Sequence, residues 1–177
     1  MSKNEHLTIS LLSDYRIVSY SPEYYEGAVS LYESTYHDLS KDHPRIRKYI
    51  KNSLKSTFTA DLHKIKKPDI NFIWIVLDPL GNVVGMGGLR VVSSQGFEVQ
   101  KLVVHESHRR RGISTILWKT ILAKGCELCP DRPLRICLST LSLLPVAESF
   151  YTKLGFTLLR KDHFKDYDLD VFEKTVL

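Results

Sequence analysis

A chain of 177 residues, 43% hydrophobic and 25% charged, has the composition of a folded domain, and wholesale disorder is excluded. Its length suffices to bury about two thirds of the surface its unfolded chain would expose, so no metal or disulfide staple is required. The formal charge of +5, from 25 Lys and Arg against 20 Asp and Glu, allows nucleic acid, a membrane surface or a polyphosphate ligand without choosing among them.

Residues 1–13 carry little pattern and are read as an extension, leaving 14–177 as one domain. Tyr15 to Tyr20 alternates in the manner of a short strand. Ser21 as N-cap and Pro22 at the first helical position open a helix expected to reach about Tyr36. Asp42, His43 and Pro44 form a second opening. Ile46, Ile50, Leu54, Phe58, Leu62 and Ile65 then make an apolar stripe along one long helix or two.

Phe72 to Leu77 and Val83 to Val92 read as strands joined by a hairpin turn, Asp78 to Asn82, with proline and glycine in it. Gly85, Gly87 and Gly88 mark a bulge or a close approach to the backbone. Val99 to Val104 is a further β-branched strand, and a helix follows from Ile113 to about Leu128. After a break at 130–133, Leu134 to Ser139 reads as a buried strand. Pro145 to Leu154 reads as a short helix closed by Gly155, and Thr157 to Arg160 and Tyr167 to Val176 as a closing hairpin. The order β, α, α, β, β, β, α, β, α, β, β implies an α/β fold (α+β mixed sheet), with a mostly antiparallel central sheet and helices on both faces.

Between the strand ending at Val104 and the helix opening at Ile113 stand Arg109, Arg110, Arg111 and Gly112. A helix N-terminus offers unpaired N–H groups and the positive end of its dipole, and here basic side chains and a residue without Cβ converge on it. Such a turn suits an anion, above all a phosphate. Cys126 and Cys129 have C-x-x-C spacing, but no second ligand pair completes a zinc site, so no metal is expected and the thiols read as buried and reduced. No apolar run approaches a membrane span and the N-terminus lacks the apolar core of a signal peptide, which points to a cytoplasmic protein, with the nucleus as the alternative location.

These residues resemble the GNAT superfamily of N-acetyltransferases. Its main motif, R/Q-x-x-G-x-G/A after a strand, is similar to Arg109, Arg110, Arg111, Gly112, Ile113 and Ser114, with Ser114 the departure. Its second motif, an alanine, a tyrosine four residues on, then K-x-G-F, is matched by Ala147, Tyr151, Lys153, Gly155 and Phe156. The resemblance implies a GNAT-like acyl-CoA N-acyltransferase fold and acetyl-CoA as donor, its pyrophosphate on the turn from Arg109 to Ser114. It implies a pantetheine arm along Leu102, Val103 and Val104. The asparagine that often precedes the second motif's alanine is Leu144 here, a cofactor contact without its polar group.

The resemblance also assigns roles in catalysis. A lysine-like ammonium has a pKa of about 10.4, so freeing its amine at neutral pH costs roughly 4–5 kcal/mol and needs a base. Glu98, eleven residues before Arg109, stands where several family members carry that glutamate. Tyr151 matches the family's tyrosine near the sulfur, the candidate acid for the departing thiolate, and a backbone N–H near Val104 would face the developing oxyanion. The acceptor is a primary amine of a small molecule or a protein. The acidic final segment, with Asp162, Asp166, Asp168, Asp170 and Glu173, reads as solvated edge-strand charge or as an attraction for a cationic amine, the first being the more ordinary. A noncatalytic acyl-CoA-binding regulatory domain is the alternative; a nucleic-acid or membrane partner is not expected, and a homodimer is compatible with a sequence silent on assembly.

Overall fold

The computed structural model describes residues 14–44, 46, 47, 50 and 71–177. In chain order the described elements are β1 (Arg16–Ser19), α1 (Tyr25–Asp42), β2 (Asn71–Leu77), β3 (Val83–Ser93), β4 (Gly96–Val104), α2 (Ile113–Leu128), β5 (Leu134–Leu141), α3 (Pro145–Lys153), β6 (Thr157–His163) and β7 (Asp168–Val176). The strands form one seven-stranded sheet in the order β1-β2-β3-β4-β5-β7-β6. Every neighbouring pair is antiparallel except β4 and β5. The mixed, mostly antiparallel sheet expected from the sequence is therefore present. The extension at 1–13 and the apolar stripe from Leu54 to Ile65 lie outside the described residues.

Alternation along the strands divides the core between two faces. Ile73, Ile75 and Leu77 of β2 pack with Ala28, Leu31 and Tyr32 of α1. On the other face Phe97, Val99, Ile136 and Phe172 pack with Trp118 and Ile121 of α2 and Tyr151 of α3. Helices thus cover both faces, and burial of these apolar stripes is the main force holding the layers together.

Glycines mark the closest contacts between layers. A Cβ on Gly125 of α2 would stand 2.1 Å from Cε1 of the Phe97 ring, and one on Gly88 would stand 2.4 Å from the carbonyl oxygen of Phe72. The glycine-rich strand β3 is irregular at Val84, beside Gly85, where it pairs with β2, and at Val92 where it pairs with β4; a further bulge lies across from the glycines. Met86 pairs with Val103 and Gly88 with Gln100, so β4 carries the extra residue, and Lys101 takes a φ of 54°.

Two local readings are corrected. Ser21 makes no cap bond to the helix backbone; its hydroxyl donates instead to Oε1 of Glu23 at 2.8 Å, and a 3-10 turn, Pro22–Tyr24, precedes α1. The helix does not end near Tyr36 but runs to Asp42, because Tyr36 and Leu39 still pack against Ile46, Ile50 and Leu141. Pro44 disfavours helical backbone at the residue before it, and His43 leaves the helix.

Candidate active site

The feature that organises the site is a fork. β4 and β5 share only three rungs, Gly96 with Arg135, Phe97 with Ile136 and Glu98 with Cys137. Beyond them β4 follows β3 to Val104, and β5 follows β7 to Leu141. From Val99 onward β4 has no ladder partner on its β5 side among the described residues, so its main-chain groups there are unpaired within the sheet. Such an edge accepts an extended ligand as an added strand. Leu102, Val103 and Val104 lie on it, past the bulge at Lys101.

The fork leads to the turn before α2. Arg110 and Gly112 adopt φ of 60° and 84°, and Gly112 is the N-cap of α2, with no side-chain bond occupying the first turn's N–H groups. Ile113 is buried against Val76 and Leu117, anchoring the helix start, and Ser114 is half-buried in its first turn. The result is a concave set of backbone N–H groups at a helix N-terminus, suited to an anion.

The three arginines are not equivalent. Arg109 donates from Nε to the Val104 carbonyl at 3.1 Å, tying the turn to the end of β4. Arg111 donates from Nη1 to the Tyr15 hydroxyl at 3.2 Å and from Nη2 to the Ser107 carbonyl at 3.2 Å. Arg110 is exposed and makes no hydrogen bond among the described residues.

Glu98 stands at the base of the fork, with 24% of its side chain exposed. Its Oε2 accepts from Arg90 Nε at 3.1 Å and from Arg90 Nη2, and from Gln100 Nε2 at 3.3 Å. Its other oxygen is left for a proton or a water. Cys137, its rung partner, has its thiol pushed up in pKa by burial and then by the negative charges of Glu98 and Glu173. It is a protonated thiol at neutral pH and a poor nucleophile.

Tyr151 approaches the β5 arm of the fork from the α3 side. Its ring packs near Phe156 at 5.9 Å and Phe172 at 6.1 Å, and Phe172 is the rung partner of Leu138, the first β5 residue past the fork. Burial pushes the Tyr151 hydroxyl up to about 12, and it makes no hydrogen bond among the described residues. Leu144 is the N-cap of α3, where it packs in the cluster of Leu141, Ile46 and Ile50.

In the acidic final segment, four of the five acidic side chains have a basic neighbour. Asp162 pairs with Arg160, Asp168 with His163, Asp170 with Lys161 and Glu173 with Arg135. Two of these pairs, Lys161 with Asp170 and His163 with Asp168, are rungs between β6 and β7; Arg160 and Asp162 share β6, and Arg135 reaches Glu173 diagonally from β5. A cavity of about 590 Å3 lies elsewhere, between α1 and the β2–β3 turn, with His105 and His108 in its wall. Among the described residues no three His, Cys, Asp or Glu side chains gather to hold a metal ion, and no helix is long and apolar enough to cross a membrane.

Sequence reading missed Arg90 and Gln100, which hold Glu98, and Tyr15, Ser107 and His108, which surround Arg111. Cross-strand register brings Arg90 to Glu98, whereas Gln100 lies two residues along the same strand, a spacing the period of a strand could have flagged; Tyr15 has no local sign of its contact with Arg111.

Comparison with known proteins bears on the family and the fold. A family model described as the acetyltransferase (GNAT) domain matches residues 69–158, from the edge of β2 to the start of β6. No curated protein matches the chain. Among solved structures, a GNAT-family acetyltransferase from Staphylococcus aureus Mu50 is 21% identical and covers 91% of this chain and 98% of its own, with a TM-score of 0.68. An acetyltransferase from Streptococcus agalactiae 2603 is 17% identical, covers 93% and 99%, and has a TM-score of 0.69. An aminoglycoside 6′-N-acetyltransferase complexed with coenzyme A is 19% identical, covers 92% and 97%, and has a TM-score of 0.64. At these identities the likeness is one of fold.

Proposed function

The chain belongs to the GNAT acetyltransferase family, and from that premise we propose that it transfers the acetyl group of acetyl-CoA to a primary amine by direct attack within a ternary complex. The observation that carries this reading is the fork between β4 and β5, an unpaired strand edge that runs on to the glycine-capped start of α2 at Gly112. The donor's arm and pyrophosphate require that pairing of shapes and charges. A similar fold has been solved with coenzyme A bound, in the aminoglycoside enzyme.

In this reading the pyrophosphate meets the N–H groups from Gly112 to Ser114, with positive charge from Arg109, Arg110 and Arg111. The pantetheine arm takes the free side of β4 at Leu102 to Val104, and Leu144 bounds the cleft from the start of α3. Glu98 accepts the proton of the attacking amine, directly or through a water. Because Arg90 and Gln100 both bind Oε2, the other oxygen is the one free to act.

The proton on Tyr151 has a different use from full transfer. With its pKa near 12, against about 8.5 for a thiol, giving up that proton to the departing thiolate would be uphill by roughly 5 kcal/mol. Tyr151 therefore acts by donating a hydrogen bond to the sulfur as charge develops there. Cys137 is protonated and lies outside the attack sequence, which favours direct transfer over an acyl-enzyme.

The test is release of thiol from acetyl-CoA in the presence of small amines, amino acids and lysine peptides, with product mass as the second readout. At least one class is expected to accelerate release. Tight coenzyme binding with no acceleration by any class would leave a noncatalytic binding domain.

A further inference from the structure

We propose that Tyr15 and His108 position Arg111 as the charge that meets the coenzyme's pyrophosphate, an inference that rests on the reading of the turn as a coenzyme A site. Tyr15 precedes β1 and lies 96 positions from Arg111 in the chain, yet its hydroxyl accepts from Arg111 Nη1 at 3.2 Å. The same hydroxyl lies 2.9 Å from Nδ1 of His108. An oxygen receiving the guanidinium proton must direct its own hydrogen elsewhere, and Nδ1 is the acceptor within reach. His108 is thereby assigned the tautomer with its proton on Nε2.

The bond order runs in one direction: Arg111 donates to Tyr15, and Tyr15 donates to His108. Burial, followed by the neighbouring charge of Arg111, pushes the His108 imidazole below its ordinary pKa and keeps Nδ1 available as an acceptor. Asp78 and His105 also face it, the first raising and the second lowering its affinity for a proton. The Tyr15 ring is itself fixed, edge-on to His108 at 5.8 Å and packed in the cluster of Val76, Val104 and Ile113.

Arg111 is otherwise an exposed side chain with many rotamers. Two of its five N–H groups are held, by Tyr15 and by the Ser107 carbonyl, and the other three remain for an anion beside Gly112. Less side-chain freedom is then lost when the pyrophosphate binds. Tyr15 and His108 touch no reacting atom; they act through Arg111.

Calorimetric titration of coenzyme A into wild type, Tyr15→Phe, Arg111→Gln and the double variant tests this. Tyr15→Phe keeps the ring packing and is expected to weaken binding roughly 3- to 10-fold, the loss of one net hydrogen bond. In the Arg111→Gln background the same substitution should have no further effect, since residues acting through one contact are not additive. His108→Leu, which removes the acceptor, should behave like Tyr15→Phe in both backgrounds. Unchanged or tighter binding in Tyr15→Phe, or effects that add independently of Arg111, would overturn the proposal. A wild type that binds no coenzyme A would instead overturn the coenzyme reading on which it rests.

Discussion

Glu98 and Cys137 form the last rung joining β4 to β5, and beyond them the two strands part. The candidate base therefore stands at the apex of the fork; in the proposed reading an amine would meet the acyl end of the coenzyme arm there. Glu98→Gln is expected to lower kcat about 100-fold or more, the usual contribution of a positioned base, while leaving the Kd for coenzyme A within roughly twofold. Turnover equal to wild type across the pH range would remove Glu98 from the mechanism.

Tyr151 should contribute to turnover without showing a titration of its own. Its hydroxyl is held near 12, so no basic limb in kcat from this group is expected up to about pH 10. Tyr151→Phe should lower kcat roughly 10- to 100-fold, since one transition-state donor is lost, with Tm little changed because the buried ring is kept. A variant with wild-type turnover, or a basic limb in wild type that vanishes in Tyr151→Phe, would contradict the donor role.

Gly112 caps α2 at a φ of 84°. Gly112→Ala should cost about 1–2 kcal/mol of stability from left-handed backbone strain. It should also weaken coenzyme A binding, because the added Cβ occupies the approach to the N–H groups. Denaturation midpoints and calorimetry on the same variant separate the two effects; a stability loss with unchanged affinity would place the anion elsewhere.

A steric test of the fork's closed end is available at Gly125. Its missing Cβ leaves room for the Phe97 ring, which is fully buried and forms the rung with Ile136. Gly125→Ala should cost about 1–3 kcal/mol or more by overpacking. The expected fall in Tm is roughly 2–4 °C for each kcal/mol in a chain of this size. An unchanged Tm would mean that α2 moves freely relative to β4.

Acid should unfold the protein in two stages. Burial and Arg111 lower the His108 pKa, so below about 6.5 the unfolded chain binds a proton that the folded one resists, and stability falls with pH there. Asp78 is lowered chiefly by the Asn82 side-chain bond. Asp170 is lowered despite burial by Lys161 and Ser142. Their contribution is present above about pH 4 and lost as pH falls through their folded values. His108→Gln should flatten the slope between pH 7 and 5 and leave the lower stage intact. An unchanged slope would contradict this.

What could be read from the sequence was what is local. The strand to Val104, the glycine at the helix start and the helix to Leu128 are signalled by neighbours in the chain, and the turn's preference for an anion follows from them. The fork was not legible, because it depends on β4 and β5 separating after three rungs between residues 39 positions apart. The charge balance of β6 and β7 was also hidden. The acidic composition of 162–173 is plain, but the pairing of Glu173 with Arg135 and of Asp170 with Lys161 comes only from strand neighbours in the sheet. Tyr15 carries no local sign of its contact with Arg111.

The most direct measurement follows acetyl-CoA labelled in its acetyl group through incubation with the wild-type protein and the amine panel. The label is predicted to appear on the nitrogen of at least one amine in a time-dependent, enzyme-dependent manner, with none held on Cys137. Label that remains in acetyl-CoA while the coenzyme is bound, or that accumulates on the protein before reaching the amine, would contradict direct transfer at this fork.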